Sequence, residues 1–314
     1  VTAPHPSDQP GGALHPRVLE RLRCPVCGEP LAEAGDTRGL RCPRRHTFDI
    51  ARQGYVNLLA GRAPHAGDTA EMVAARADFL AAGHYDLISA ALARAATEAA
   101  ASYRAARSRP AAARTPADGA GLGVHPLIVD AGAGTGRHLA AVLAALPDAV
   151  GLALDVSKPA LRRAARAHER GAAALADTWQ RLPLADASAA VLLNVFAPRN
   201  GAEFRRVLDP AGALLVVTPA EDHLAELVGR LGLLRVDPAK ARRVADNLGG
   251  HFTEMVASEH RRELRLTAPE VATLVGMGPS AWHTDPAGLA ARIAALPEPV
   301  EVTVAVRLGA YRPR

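Results

Sequence analysis

An α/β fold, with a mostly parallel, Rossmann-like sheet and a small ribbon-like module ahead of it, is what this sequence predicts. Three observations predict it. All three cysteines fall within one short N-terminal stretch and are followed by a histidine. From Leu127 onward, short apolar segments alternate with segments of helical spacing. A glycine-rich loop joins the first of those apolar segments to the first helix.

The cysteines come first in the chain. Cys24-Pro-Val-Cys27 is followed, after 14 intervening residues, by Cys42-Pro-Arg-Arg-His46. A Cys-x-x-Cys turn supplies two ligands and a Cys-x-x-x-His turn two more, which completes a tetrahedron around zinc. Gly28 lets the first turn close with amides directed at the thiolates. Four protein ligands leave no open position, so Cys24, Cys27, Cys42 and His46 form a structural Zn2+ site and the chemistry lies elsewhere.

A chain of 314 residues that is 49% hydrophobic has material for a large core. No apolar run reaches membrane-spanning length and the first twenty residues contain no signal-like apolar stretch, so no membrane association is expected. Cysteines committed to a metal leave none for disulfides, as suits a reducing cytoplasm. Nine arginines lie between Arg17 and Arg62 against five acids (Glu20, Glu29, Glu33, Asp36 and Asp49), so most of the net charge of +5 sits in the zinc module. A positive zinc module suits contact with nucleic acid. A GC-rich genome is the competing explanation, because lysine occurs only at positions 158 and 240.

The elements follow in order. Residues 1–16 read as a disordered tail and 17–62 as the zinc-binding, RNA-recognising module, whose segment from Phe48 to Leu59 alternates like a last strand leading out of the knuckle. Residues 63–107 read as a helical linker, with one helix over Thr69–Leu80, a break at Gly83 and a second helix from Asp86 to about Tyr103. Residues 108–126, rich in Ala, Pro, Gly and Arg, read as a flexible insertion. The sheet domain occupies 127–314. Its strands are expected at Leu127–Asp130, Val150–Asp155, Ala173–Asp177, Ala189–Phe196 and Ala213–Thr218, with helices at Arg137–Leu146, Pro159–His168 and near Ala202–Leu208. Leu224–Leu296 reads as mainly helical with one strand, and Val300–Tyr311 as a late antiparallel strand.

The loop Asp130-Ala-Gly132-Ala-Gly134-Thr-Gly136 follows a strand and opens a helix. A dinucleotide fingerprint would begin with glycine; here an aspartate ends the strand, and the compact loop suits an amino-acid tail better than a pyrophosphate. Asp130 can hold an ammonium, directly or through water. Asp155, 25 residues later at the end of the next strand, can take a ribose diol, and Asp177, ending the third, an adenine amine. Three acids on successive strand ends, each matched to a part of S-adenosyl-L-methionine, point to a class I S-adenosylmethionine methyltransferase. For Asp177 alone, a plain surface acid fits nearly as well.

With these motifs in view the chain resembles the RlmA-type 23S rRNA guanine-N1 methyltransferases, including the tylosin- and mycinamicin-resistance enzymes, from Leu22 to Tyr311. The resemblance rests on the two zinc turns with Thr47-Phe48-Asp49, on Gly54-Tyr-Val-Asn-Leu-Leu59, and on Gly67-Asp-Thr-Ala-Glu-Met72 with Ala75-Arg76 and Phe79-Leu80. Further matches are Ala82-Gly-His-Tyr85, Gly151-Leu-Ala-Leu-Asp-Val-Ser-Lys158, Arg181-Leu-Pro183, Ala197-Pro198, Pro219–Leu224, Met277, Pro279 and Ala281-Trp282. It implies a cytoplasmic homodimer that methylates a guanine of a 23S rRNA hairpin near the macrolide site of the exit tunnel. It also implies cofactor contacts at Tyr85, at Gly132, Gly134, Gly136, His138 and Leu139, and at His223. The insertion at 108–126 and the first residues of Asn194-Val-Phe-Ala-Pro198 depart from the family pattern.

Guanine N1 carries a proton about as reluctant as a phenol's and lies on the Watson–Crick edge, so the base must be unpaired and relieved of that proton. Asp68 and Glu71 are the candidate catalytic residues, for base contact or proton removal; Asp68 and Thr69 at a helix start with Glu71 in the first turn is the structural alternative. Two other functions compete. One is a small-molecule methyltransferase of antibiotic biosynthesis whose zinc module only shapes a lid. The other is a zinc-ribbon RNA-binding protein with a non-catalytic Rossmann domain.

Overall fold

The computed structural model describes residues 14–35, 37–61, 67–108, 125–233, 247–278 and 286–314. The tail up to residue 13, nearly all of the expected insertion, and Pro279, Ala281 and Trp282 lie outside the described residues. Among the described residues, eleven strands form two sheets. Ala32–Glu33 (β1), Gly39–Arg41 (β2) and Thr47–Asp49 (β3) make a small antiparallel sheet in the zinc module. The large sheet has the order β10-β11-β9-β8-β5-β6-β7-β4. Its strands are Tyr55–Asn57 (β4), Leu127–Ala131 (β5), Val150–Asp155 (β6), Gly171–Leu175 (β7), Ala189–Val195 (β8), Leu208–Pro219 (β9), Phe252–Leu266 (β10) and Val300–Pro313 (β11). β4 to β9 run parallel, and β11 is antiparallel to both β9 and β10. The strand order reverses between β5 and β8, and a crevice at such a switch point is where ligands bind. This is the class I methyltransferase sheet with β4 added at one edge.

Period-two alternation divides the strands' side chains between two cores. Ile128, Ala153, Ala173 and Val191 face one side, where Asp86–Arg107 (α3), Arg137–Ala145 (α4) and Lys158–Ala164 (α5) pack. α3 is rich in the strong helix former Ala and buries Ile88, Leu92, Ala96, Ala100 and Tyr103 on a single stripe. It lies against α4, β8 and β9, so the segment expected to be a linker is a layer of the sheet domain.

Val129, Leu152, Leu154, Ala174 and Leu192 face the other side. There the cover is Phe204 and Val207 of Gly201–Val207 (α6) together with the zinc module: Val18 of Pro16–Leu19 (α1), Leu22, Leu31, Leu40, Phe48 and Ile50. Leu14, expected in the tail, is buried in the same core. Backbone bonds strap the module down, from Arg23 N to Pro183 O (3.0 Å) and from Ala185 N to Arg21 O (2.9 Å). The expected exit strand is thereby corrected. The chain turns at 51–54, and Tyr55–Asn57 leaves the small sheet to pair with β7, because Tyr55 and Val56 can bury their side chains on the two faces of the large sheet. Among the described residues no helix is long and apolar enough to cross a membrane.

Candidate active site and metal centre

The four metal-ligand candidates converge. Cys24 Sγ lies 3.5 Å and Cys42 Sγ 3.4 Å from His46 Nδ1, and Cys27 Sγ lies 3.7 Å from Cys42 Sγ. Zinc at its usual bond lengths has tetrahedral edges of about 3.8 Å between sulfurs and about 3.5 Å between sulfur and nitrogen. The donor set therefore fits zinc, with His46 ligating through Nδ1.

The second centre lies at the C-terminal ends of β5 and β6. Asp155 Oδ2 accepts from Gly134 N (2.8 Å) and Oδ1 from Ser157 N (2.8 Å), so the acid of β6 holds the loop of β5. Burial raises the Asp155 pKa, against those two amides. Asp130 is buried, Oδ1 has no hydrogen-bond partner, and burial with the nearby Asp155 charge pushes its carboxyl up to about 7. A buried acid with an unpartnered oxygen beside a second acid suits the ammonium of an amino-acid ligand. The glycines divide the labour. A Cβ on Gly132 would stand 2.4 Å from Ala197 Cβ, whereas one on Gly134 would meet only Arg76, at 3.5 Å from Nη1. Gly132 is needed for packing; Gly134 keeps the floor of the cleft low. These residues fit S-adenosylmethionine.

Asp177 is buried after β7, where its carboxylate accepts from Trp179 N (2.9 Å) and closes its own turn. His138 Nδ1 bonds Ser89 Oγ (2.9 Å), and burial lowers its pKa to about 4, so it is a neutral link between α4 and α3. The Leu139 side chain packs toward Gly151 on β6. What both can offer a ligand is the first-turn amides of α4. Tyr85 and His223 meet, with Oη and Nε2 3.3 Å apart. His223 Nδ1 accepts from Ala305 N (3.2 Å), so Nε2 carries the ring hydrogen and donates it to Tyr85. Burial raises the Tyr85 pKa, so the phenol stays neutral.

Comparison with known proteins gives the family. The RlmA N-terminal zinc-ribbon family matches residues 22–63. A protein of Micromonospora griseorubida named as a 23S rRNA (guanine-N1)-methyltransferase is 70% identical over 304 residues, covering 96% of this chain and 100% of the relative. The 23S rRNA (guanine(748)-N1)-methyltransferase of Streptomyces fradiae is 50% identical over 300 residues, covering 96% and 99%. YxjB of Bacillus subtilis, also named for guanine-N1 methylation of 23S rRNA, is 31% identical over 83% of this chain and 86% of its own length. The chain belongs to the 23S rRNA (guanine-N1)-methyltransferase family.

In this methyltransferase the two acids expected to be catalytic part company. Thr69 Oγ1 caps Ala70–Ala81 (α2) by accepting from Met72 N (3.3 Å), and Glu71 is exposed in the first turn with its pKa lowered by its own amide and the Thr69 hydroxyl. Asp68 lies at the cofactor loop, where its carbonyl accepts from Ser157 Oγ (2.8 Å) and its carboxylate pairs with Arg76. Arg76 also donates to Met277 O (2.8 Å), so its guanidinium stands over Gly134 and ties α2 to the C-terminal end of the helix Ala268–Gly276. Sequence reasoning missed Arg76 as a site residue. It stood only in a matching string, and one arginine on an amphipathic helix gives no other signal. Asn194 is fully buried, and its amide donates to Ala131 O (3.1 Å) and Pro198 O (2.9 Å), fastening the turn after β8 to the end of β5.

Proposed function

We propose that this methyltransferase modifies N1 of a guanine in a hairpin loop of 23S rRNA beside the macrolide site of the exit tunnel, and so confers resistance to macrolides such as tylosin or mycinamicin. Methyl transfer is supported by the latch between Asp155 and the Gly134 amide at the strand switch point, which is the observation that carries the reading. The guanine of 23S rRNA is supported by the names of the 70% and 50% identical relatives, and the position equivalent to 748 by the second of them. S-adenosylmethionine, when bound, supplies an electrophilic methyl group.

The protein's own part is to bind and orient. Asp130 receives the ammonium, Asp155 the ribose diol and Asp177 the adenine amine, while Gly132, Gly134, Gly136 and the first amides of α4, at His138 and Leu139, form the floor. Tyr85 and His223 close the site from the α3 and β9 sides. Asp68, anchored by Arg76, takes up the N1 proton, and Glu71 touches RNA at the rim. The enzyme works in the cytoplasm as a homodimer, with the zinc module gripping the RNA. Primer extension on 23S rRNA from cells with and without the gene tests the reading, because N1-methylguanine blocks Watson–Crick pairing and stops the polymerase. Methylation of a macrolide precursor with no stop in the rRNA would favour the small-molecule alternative.

A further inference from the structure

Phe196 breaks two rules at once. It is an aromatic residue with 38% of its surface exposed, and its φ of +52° lies in the left-handed region that penalises side chains. Four described non-glycine residues have positive φ, and two of them, Phe196 and Leu224, flank one cluster of rings. Phe196 lies 6.2 Å from the Tyr85 ring and 5.8 Å from His223, whose neighbour is Leu224; Tyr85 and His223 are 6.1 Å apart. Backbone strain gathered at one spot needs surroundings that enforce it. Here they are visible. Phe196 N donates to Val217 O (3.2 Å), the Asn194 amide ties Pro198 O and Ala131 O of β5 together, and Ala197 presses on Gly132 of the cofactor loop. An aromatic ring is thus fixed at the end of β8, backed by two buried rings and partly exposed, one residue from the Ala197 that packs on the cofactor loop.

Resting on the function proposed above, we propose that Phe196 is the stacking platform for the extruded target purine. Transfer to a Watson–Crick edge nitrogen requires the base out of its helical stack, and a flipped base needs a new π surface. A ring supported from behind supplies that surface without collapsing into the cleft. Tyr85 and His223 act through it as positioning residues, and the two closely packed turns set its distance from the cofactor loop.

The test is a cycle between residue and base. Full-length wild-type, Phe196→Leu, Phe196→Trp and Phe196→Gly proteins are titrated with an intact 23S hairpin and with one made abasic at the target guanine, both with saturating S-adenosylhomocysteine. Loss of a stacked base is worth on the order of ten- to a hundredfold in affinity. The expected result is that Phe196→Leu weakens binding of the intact hairpin at least tenfold and of the abasic hairpin less than twofold, with S-adenosylhomocysteine affinity unchanged. Phe196→Trp restores intact-hairpin affinity and turnover. Phe196→Gly relieves the left-handed strain, so it keeps or raises the melting temperature while losing the same selective affinity. Equal weakening of both hairpins, no weakening of either, or a parallel loss of cofactor affinity overturns the platform. A wild-type enzyme that leaves the intact hairpin unmethylated overturns the function on which it rests, and is seen separately.

Discussion

Gly134 donates its backbone N–H to Asp155 over 2.8 Å, so an acid at the end of one strand latches the cofactor loop of its neighbour. Asp155→Ala removes both the latch and the acceptor proposed for the ribose. Charge-assisted bonds of this kind are worth about 1.5–3 kcal/mol, so S-adenosylmethionine affinity should fall on the order of ten- to a hundredfold in calorimetry. Unchanged affinity would remove Asp155 from the site.

The neighbouring glycines separate packing from binding. Gly132→Ala should lower the melting temperature, because the new methyl group meets Ala197 at 2.4 Å. Gly134→Ala, strained alike at φ +54° but free of that clash, should keep more of the fold yet weaken cofactor binding, since its methyl group projects toward Arg76. If thermal melting and calorimetry rank the two variants the other way round, the division is wrong.

With Asp130 receiving the ammonium as proposed, binding should depend on pH. Its folded pKa of about 7 lies above the ordinary 3.8, so the stability the neutral carboxyl contributes is present below about 4 and is lost as pH rises through 7. Binding of an ammonium requires the ionised form, so cofactor affinity should fall as pH drops from 7.5 to 6. Asp130→Asn should melt at a higher temperature than wild type at pH 8 and bind S-adenosylmethionine poorly at every pH. A wild-type affinity that is flat across this range would refute the assignment.

Arg44 and Arg45 are exposed beside the last zinc ligands, and Arg44 pairs with Glu29 at 3.8 Å. Replacing Arg41, Arg44 and Arg45 by Gln should reduce methylation of the hairpin and flatten its salt dependence, by about 0.7 in log–log slope for each single-strand phosphate that is no longer neutralised. Zinc content and cofactor affinity should stay as in wild type. An unaltered slope would move RNA recognition away from the knuckle.

Local chemistry made much of this molecule legible. The Cys24, Cys27, Cys42 and His46 spacing announced a tetrahedron, and strands such as Val150–Asp155 were bounded by their own apolar runs. What stayed hidden was long-range. Tyr55–Asn57 alternates as well for a ribbon strand as for an edge strand, and only the partner, β7, decides. α3 has the pattern of any amphipathic helix, and nothing local says that its apolar stripe lies on the main sheet. The roles of Arg76 and Phe196 come from packing against Gly134, Met277, Tyr85 and His223, all far from them in sequence.

Because the zinc module covers one face of the sheet and β4 extends its edge, the metal holds up more than its own knuckle. A structural zinc contributes on the order of 10 kcal/mol to folding, comparable with the whole stability of a typical domain. Cys42→Ser should therefore release zinc and lower a single melting transition for the entire chain; a second, unshifted transition would show the halves to be independent. A methyltransferase half cut free near residue 63 would begin life with an uncovered oily face and a bare sheet edge, as a substrate for chaperones and proteases rather than an enzyme. In a cell short of zinc, the drug protection proposed above would then fade through loss of the protein itself, with every catalytic residue still in place.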